Sequence, residues 1–296
     1  MDYTFLFYYL KSFYQKLRNL TGDNERSGLS MRVLRPLPVV VPPIDIQNKI
    51  VNKLEEQMAQ IERIKKEAEK EFEATSNLFK SCLISFFKNI DGKDSLIRDL
   101  ITYHQSGFAC AISTLVTSGG YAHLRPFNIG DDGKFNMNII YQVPLHMVDG
   151  KKYYLSKGDI LFNNTNSIEL VGKSVLVDND YPYAFSNHIN KIKVKETLIK
   201  PEFFQYNLMY LWLTNYFANN CKKWIGQAGF TVNKLKELLI KVPSYEEQER
   251  IVNILRNKSN IVEQNKIYLQ IQLNAINQLP NSILNEVFGQ YQIQLS

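Results

Sequence analysis

One offset organises this chain: shifted by 201 residues, the sequence repeats itself without a gap. Val41-Pro42 returns as Val242-Pro243, Gln47 as Gln248, Ile50-Val51 as Ile251-Val252, Leu54 as Leu255, Leu83 as Leu284 and Phe87 as Phe288. Upstream the same shift carries Tyr9-Leu10 onto Tyr210-Leu211, Gly28-Leu29-Ser30 onto Gly229-Phe230-Thr231, Leu34 onto Leu235 and Leu37 onto Leu238. A fixed long period means one structural unit built twice, so any fold proposed for one copy must hold for the other. Residues 1–90 correspond to 202–291, while 91–201 have no counterpart, so the first copy is expected to begin in its middle. For 296 residues the count of units is then one and a fraction.

Each copy ends in a long amphipathic stretch. From Val51 the positions Leu54, Met58, Ile61, Lys65, Ala68, Phe72, Thr75, Phe79, Cys82 and Phe86 alternate in steps of three and four, mostly apolar, as the seam of a coiled coil does. The second copy places Val252, Leu255, Ser259, Val262, Lys266, Leu269, Leu273, Ile276, Pro280, Ile283 and Val287 at matching positions. As one helix, residues 44–88 would run about 67 Å at 1.5 Å per residue, more than a single globular domain needs. A lone stripe of this kind is best read as the core side of a bundle. Two equivalent ones, each behind a β-rich module, favour a spacer. Pro43 suits the first turn of one helix, Ser244 with Glu247 forms a capping-box pattern for the other, and Pro280 is expected to kink or interrupt the second.

Charge follows the same division. The net charge of +6 splits as +3 over residues 1–43, zero over 44–90, +4 over 91–243 and −1 over 244–296, so the excess lies outside the long helices. A surplus this small is compatible with nucleic acid and does not require it. Cys82, Cys110 and Cys221 form no CxxC pair, which points to a reducing cytoplasm without structural zinc. No run of about 18 apolar residues offers a membrane helix, and no basic segment precedes an apolar one as in a signal peptide.

Residues 91–243 read as short strands in a mixed module. A turn at Gly158-Asp159 leads into Ile160-Leu161-Phe162, and Val171 to Val177 is β-prone. His188 to Lys195 alternates, with Ile192 and Val194 on one face and Lys191, Lys193 and Lys195 on the other. That lysine face is either the wet side of a half-buried strand or a phosphate contact. Residues 202–217 look helical and too aromatic for an exposed helix. No phosphate loop, HExxH, GxSxG or dinucleotide glycine pattern is present, and His104, His123, His146 and His188 share no metal-ligand spacing. Neither catalysis, nor a cofactor, nor a metal is expected.

The order of short motifs along the chain carries a resemblance. Ser95-Leu96-Ile97-Arg98-Asp99-Leu100 and Ser106-Gly107-Phe108 open the module, followed by Leu124-Arg125-Pro126, Lys157 to Phe162, Thr165-Asn166-Ser167 and Val171-Gly172-Lys173. Gly226-Gln227-Ala228-Gly229, Val242-Pro243, Glu246-Glu247-Gln248 and Ile251-Val252 close it. With the 201-residue repeat, the sequence resembles the DNA-specificity subunit of a type I restriction-modification system. The resemblance implies an α+β fold: a mixed α/β target recognition domain and two long helices forming an antiparallel coiled coil, internally duplicated. The segments are then 1–43, the end of a first recognition domain; 44–90, the central helix; 91–243, a complete recognition domain; and 244–296, the C-terminal helix.

What that implies is a cytoplasmic, non-catalytic subunit. It would bind double-stranded DNA and place methyltransferase subunits, and through them a restriction subunit, on a bipartite target. Two departures stand out: Ile46 where the family usually has Glu, and Asn164 where Arg is common. Candidate DNA contacts, chosen as polar or basic residues in or beside presumed loops, are Arg125, Asn163, Asn164, Asn166, Lys173, Lys191, Lys193, Lys222, Lys223 and Gln227. Gly107, Gly172 and Gly229 are taken as backbone requirements. The seam residues are packing positions, and the outward helix faces are where methyltransferase would dock. The missing stretch of the first domain suggests an N-terminally truncated subunit that either pairs with a second fragment or forms a homodimer. A coiled-coil interaction protein, or a defective remnant, that binds methyltransferase without specific DNA binding stands as the alternative.

Overall fold

A computed structural model describes residues 1–14, 35, 39–148 and 153–289. The repeat positions Gly28, Leu29, Ser30, Leu34 and Leu37 lie outside the described residues. Packing divides the chain into two units, one of residues 1–76 with 263–296 and one of residues 77–262. The sequence segments follow chain order, but the packing boundaries fall inside both long helices.

The first unit is helical. Helix α1 (Tyr3–Ser12) starts at Asp2, whose Oδ1 accepts from the Phe5 amide at 2.8 Å. It packs Phe5, Tyr9 and Phe13 against Val51 and Leu54 of helix α2 (Ile44–Lys88) and against Leu284 and Phe288 of the last helix. Phe288 meets the Phe5 and Tyr9 rings edge-on, with centroids 5.5 and 5.6 Å apart. The start of α2 thus meets the end of the last helix, an antiparallel pairing.

In the second unit α2 ends with Phe79, Leu83 and Phe87 buried. Strand β1 (Lys93–Leu96), the short helix α3 (Ile97–Leu100) and β2 (Ile101–Ser106) follow. Then come β3 (Tyr121–Leu124), β4 (Tyr141–Val143), β5 (Ile160–Asn163), β6 (Thr165–Asn166), β7 (Ser174–Leu176), β8 (Ala184–Phe185) and β9 (Ile189–Val194). Helices α4 (Pro201–Leu213) and α5 (Tyr216–Asn220) precede β10 (Lys222–Trp224), β11 (Gln227–Gly229), α6 (Val232–Lys236), β12 (Leu239–Val242) and α7 (Tyr245–Phe288). The main sheet has the order β2-β9-β5-β7, all antiparallel, with β9 and β5 central. Beside it stand β10-β11-β6, β4-β3-β8 and the pair β1-β12. Its principal core joins Ile160, Phe162 and Ile192 of the main sheet to Phe203, Phe204 and Leu208 of α4 and to Ile251, Val252 and Leu255 of α7. Burying side chains of this size contributes roughly 1.5–3 kcal/mol each.

Three expectations change. The aromatic stretch at 202–217 is two helices rather than one, because Asn215 turns left-handed (φ 59°) between them. Helix α7 runs through Pro280 without interruption, although the ring removes one donor. Buried Leu284 and Phe288 in the first unit's core hold the turns that follow it. Ser244 caps α7 by accepting from the Glu247 amide at 3.3 Å, but the Glu247 carboxylate binds Arg250 instead of closing the box.

Every expected seam position is buried or half-buried. Val51, Leu54 and Ile61 are buried in the first unit, as are Leu269 and Leu273, with Met58, Phe72 and Ile276 half-buried. Phe79, Val252, Leu255 and Val262 are buried in the second unit and Phe86 is half-buried. Toward the end of α2 the deepest residues are Leu83 and Phe87, one position beyond the expected Cys82 and Phe86, because there the helix faces α4 and the Phe87 ring lies 5.4 Å from Phe203.

Candidate nucleic-acid interface

The small sheet β10-β11-β6 collects residues that are distant in sequence. Lys222 pairs with Gly229, Lys223 with Ala228 and Trp224 with Gln227, while Ala228 and Gly229 pair in turn with Asn166 and Thr165. Ala228 and Phe230 are fully buried, so the base of the hairpin is anchored. The two-residue turn closes on Gly226, whose φ of +73° a side chain would rarely adopt. Trp224 folds its ring over Gly229, where an added Cβ would come within 2.6 Å of the ring, and its Nε1 donates to Gln227 Oε1 at 3.1 Å. Lys222, Lys223 and Gln227 are exposed.

Face-on to this hairpin lies a groove of about 650 Å³, lined by His104, Asn164, Thr165, Asn190, Lys222, Trp224, Gly229 and the helix start Thr231 to Asn233. Its floor is a knot of amides. Asn164 Nδ2 donates to the Asn187 carbonyl and to Asn190 Oδ1, Thr165 Oγ1 donates to Asn164 Oδ1, and the Phe230 amide donates to the Asn164 carbonyl. Asn164 therefore ties three segments together more than it reaches outward. Burial and the neighbouring Lys236 charge hold the His104 imidazole below its usual range. The groove is thus lined by a neutral ring, amides, hydroxyls, one indole and one ammonium, a set suited to hydrogen-bonding and stacking against a polar planar ligand.

Of the ten candidate contacts, Asn164, Asn166, Lys222, Lys223 and Gln227 come together here. Asn166 Oδ1 is used locally, accepting from the Ser167 amide. Arg125 sits apart, donating from Nη2 to the Cys110 carbonyl at 2.9 Å with its guanidinium over Tyr141. Lys173 is half-buried over the Trp212 ring, and burial pushes its ammonium below the usual range against the pull of Asp131 and Asp132. Lys193 is half exposed, 3.5 Å from Asp159.

Two candidates are corrected. Asn163 is fully buried and gives its amide to the Leu170 carbonyl. Lys191, placed on the wet face by alternation, is buried as well: its Nζ donates to the Tyr154 carbonyl at 2.9 Å and lies 3.9 Å from fully buried Asp159. Both belong to central strands covered on two faces, where neither a base nor a phosphate reaches them. Conversely His104, Asn190, Thr165, Trp224 and Asn233 line the groove without having been expected there. The Lys222-Lys223-Trp224 run, basic beside aromatic, was the one local signal for them.

Among the described residues no group of three His, Cys, Asp or Glu side chains could hold a metal ion, and no helix is long and apolar enough to cross a membrane. The family model for the type I restriction modification DNA specificity domain matches residues 2–72 and 114–275. The type I restriction enzyme MjaX specificity subunit of Methanocaldococcus jannaschii is 25% identical over 170 residues, covering 57% of this chain and 39% of that protein. The chain thus aligns with well under half of that relative's length. Among solved structures, a chain from a type I R-M system studied for complex assembly and conformational transition superposes with TM-score 0.69 at 18% identity, covering 96% of this chain and 70% of its own. The HsdS subunit of Thermoanaerobacter tengcongensis gives TM-score 0.54 at 17% identity over 97% of this chain and 70% of its own. The two likenesses show a shared fold. Specificity subunits of such systems are non-catalytic. The family match takes in well over half of the chain, including most of the grooved unit, and on it the chain belongs to the type I restriction modification DNA specificity family.

Proposed function

We propose that this chain is a DNA-recognition and scaffold subunit whose second unit binds one half-site of duplex DNA and whose long helices hold methyltransferase subunits, with a restriction subunit joining through the complex. One observation carries the reading: the β10-β11-β6 sheet presents Lys222, Lys223, Trp224 and Gln227 on an anchored hairpin beside a groove of neutral hydrogen-bonding groups. Lysines at the rim suit phosphates, and groups within the groove suit base edges. The +4 charge of residues 91–243 supports the same partner, and near-neutral helices suit contact with protein. Outward positions Ile267, Tyr268 and Ile271 of α7, each more than half exposed, suit methyltransferase docking. The cytoplasm, where such DNA is found, is the matching compartment.

The test is selection from a randomised duplex pool by the full chain, alone and with a methyltransferase subunit, followed by affinity against salt. An enriched sequence, with log affinity falling linearly in log salt, is expected. Equal affinity for every sequence at matched salt overturns the reading. Light scattering on the same samples gives the stoichiometry.

A further inference from the structure

Ile225, at the tip of the β10–β11 hairpin, is fully exposed, and no other large apolar side chain among the described residues is as exposed. Such a side chain packs on nothing in its own chain. A floppy tip would give it no meaning, but this tip is held. Ala228, directly across from Lys223, is fully buried, β11 is bonded on its other side to β6, and the Trp224 indole bridges to Gln227 over Gly229. The ribbon presents an apolar point on a stiff mount, with exposed Lys222 and Lys223 behind it.

The dimensions select a site on DNA. Two strands about 4.8 Å apart form, with their side chains, a blade roughly 10 Å across, and the two residues beyond Ala228 project about 7 Å at roughly 3.4 Å per residue. The major groove is about 12 Å wide and 8.5 Å deep, whereas the minor groove is only about 6 Å wide. A blade of this width enters the major groove alone, and the apolar group found there is the 5-methyl of thymine. Lys223 and Lys222, two and three residues behind the tip, fall at the height of the flanking phosphates.

We propose that Ile225 is a specificity-determining contact to a thymine methyl in the major groove, with Lys222 and Lys223 on phosphates and the Trp224–Gln227 bridge fixing the tip. This rests on the DNA-recognition reading above. The experiment uses the full chain and its selected duplex, replacing each thymine in turn by uracil, which removes the methyl and keeps the pairing. Wild type loses about fourfold in affinity at one position, the effect of burying one methyl group. Ile225→Ala binds the thymine duplex more weakly and no longer distinguishes uracil at that position. Lys223→Ala weakens both duplexes equally and lowers the salt slope by about one. Circular dichroism melts of the variants should match wild type, since neither side chain is buried.

The proposal is overturned if no thymine-to-uracil change affects wild type, or if Ile225→Ala keeps the same discrimination. It is overturned also if 2-aminopurine beside the site brightens on binding and Ile225→Ala abolishes this, which would make Ile225 a wedge within the base stack. Selection of no sequence at all brings down the recognition reading itself. A selected sequence with indifferent methyls brings down only the assignment of Ile225.

Discussion

His123 should make the second unit sensitive to acid. It lies in β3, fully buried, with its ring 4.8 Å from that of Phe108 and its Nε2 donating to the Phe108 carbonyl at 3.3 Å. Its Nδ1 is buried without a hydrogen-bond partner, so a second proton would put an unsatisfied donor and a charge into a dry site near Arg125. Burial first, and the guanidinium second, lower its pKa to about 4, against an upward pull from the Phe108 carbonyl. Below its ordinary value of 6.5 the unfolded chain takes up a proton that the folded chain refuses. Stability from this group is therefore complete above pH 6.5 and lost as the pH falls toward about 4. At about pH 5 the loss amounts to roughly 2 kcal/mol, from about 1.4 kcal/mol per unit over some 1.5 units. Both tryptophans, Trp212 and Trp224, lie in this unit, so their fluorescence in urea reports its unfolding. Between pH 7 and pH 5, wild type should lose about 2 kcal/mol more than His123→Gln, which keeps a donor for the carbonyl and cannot titrate. Parallel pH profiles for the two proteins would refute the buried-imidazole account.

Other substitutions separate structural from exposed groups. Lys191→Met leaves buried Asp159 with the Ser156 amide and half-exposed Lys193, and should cost about 1–3 kcal/mol in urea unfolding, whereas Lys193→Met should cost under about 1 kcal/mol. Gln248→Ala removes three hydrogen bonds, among them the one from the Lys200 amide, and should cost about 1–3 kcal/mol, with faster hydrogen exchange at that amide. Leu255→Ala opens a cavity in the second unit and Leu54→Ala one in the first; each should lower stability by about 2–5 kcal/mol, read as a shift in thermal midpoint.

The helices were legible because their signal is local and periodic: a seam such as Leu54, Met58 and Ile61 shows in any window of a few turns. The main sheet misled, since alternation in β9 assumes that one face is wet. Asp159 and Tyr154, more than thirty residues upstream, decide that Lys191 points into protein. The groove was illegible for the same reason in stronger form. His104, Asn164, Asn190, Lys222 and Asn233 come from five separate stretches, and the pairings of β2 with β9 and of β6 with β11 help bring them to one place. Ile225 could be placed on a turn by the Gly226 that follows it, but its full exposure depends on everything around the hairpin that stops short of it.

Positions 201 residues apart in the sequence have similar surroundings at the starts of the two long helices. Gln47 is buried, donates to the Pro42 carbonyl and accepts from the amide of Asp2, the residue that starts α1. Gln248 is buried, donates to the Pro243 carbonyl and accepts from the amide of Lys200, which starts α4. In both units a half-buried amide at the start of one helix has no partner within that helix, and a glutamine from the first turn of the neighbouring long helix supplies it. Leu54 beside Leu284 and Phe288 in one unit matches Leu255 beside Leu83 and Phe87 in the other. One residue earlier the two helix starts differ, Ile46 against Glu247. The Glu247 carboxylate binds only Arg250, at the surface, where an ion pair adds little. With Ile46 at that place the first unit lacks a surface contact and keeps the glutamine's hydrogen bonds, so its helix junction stays intact.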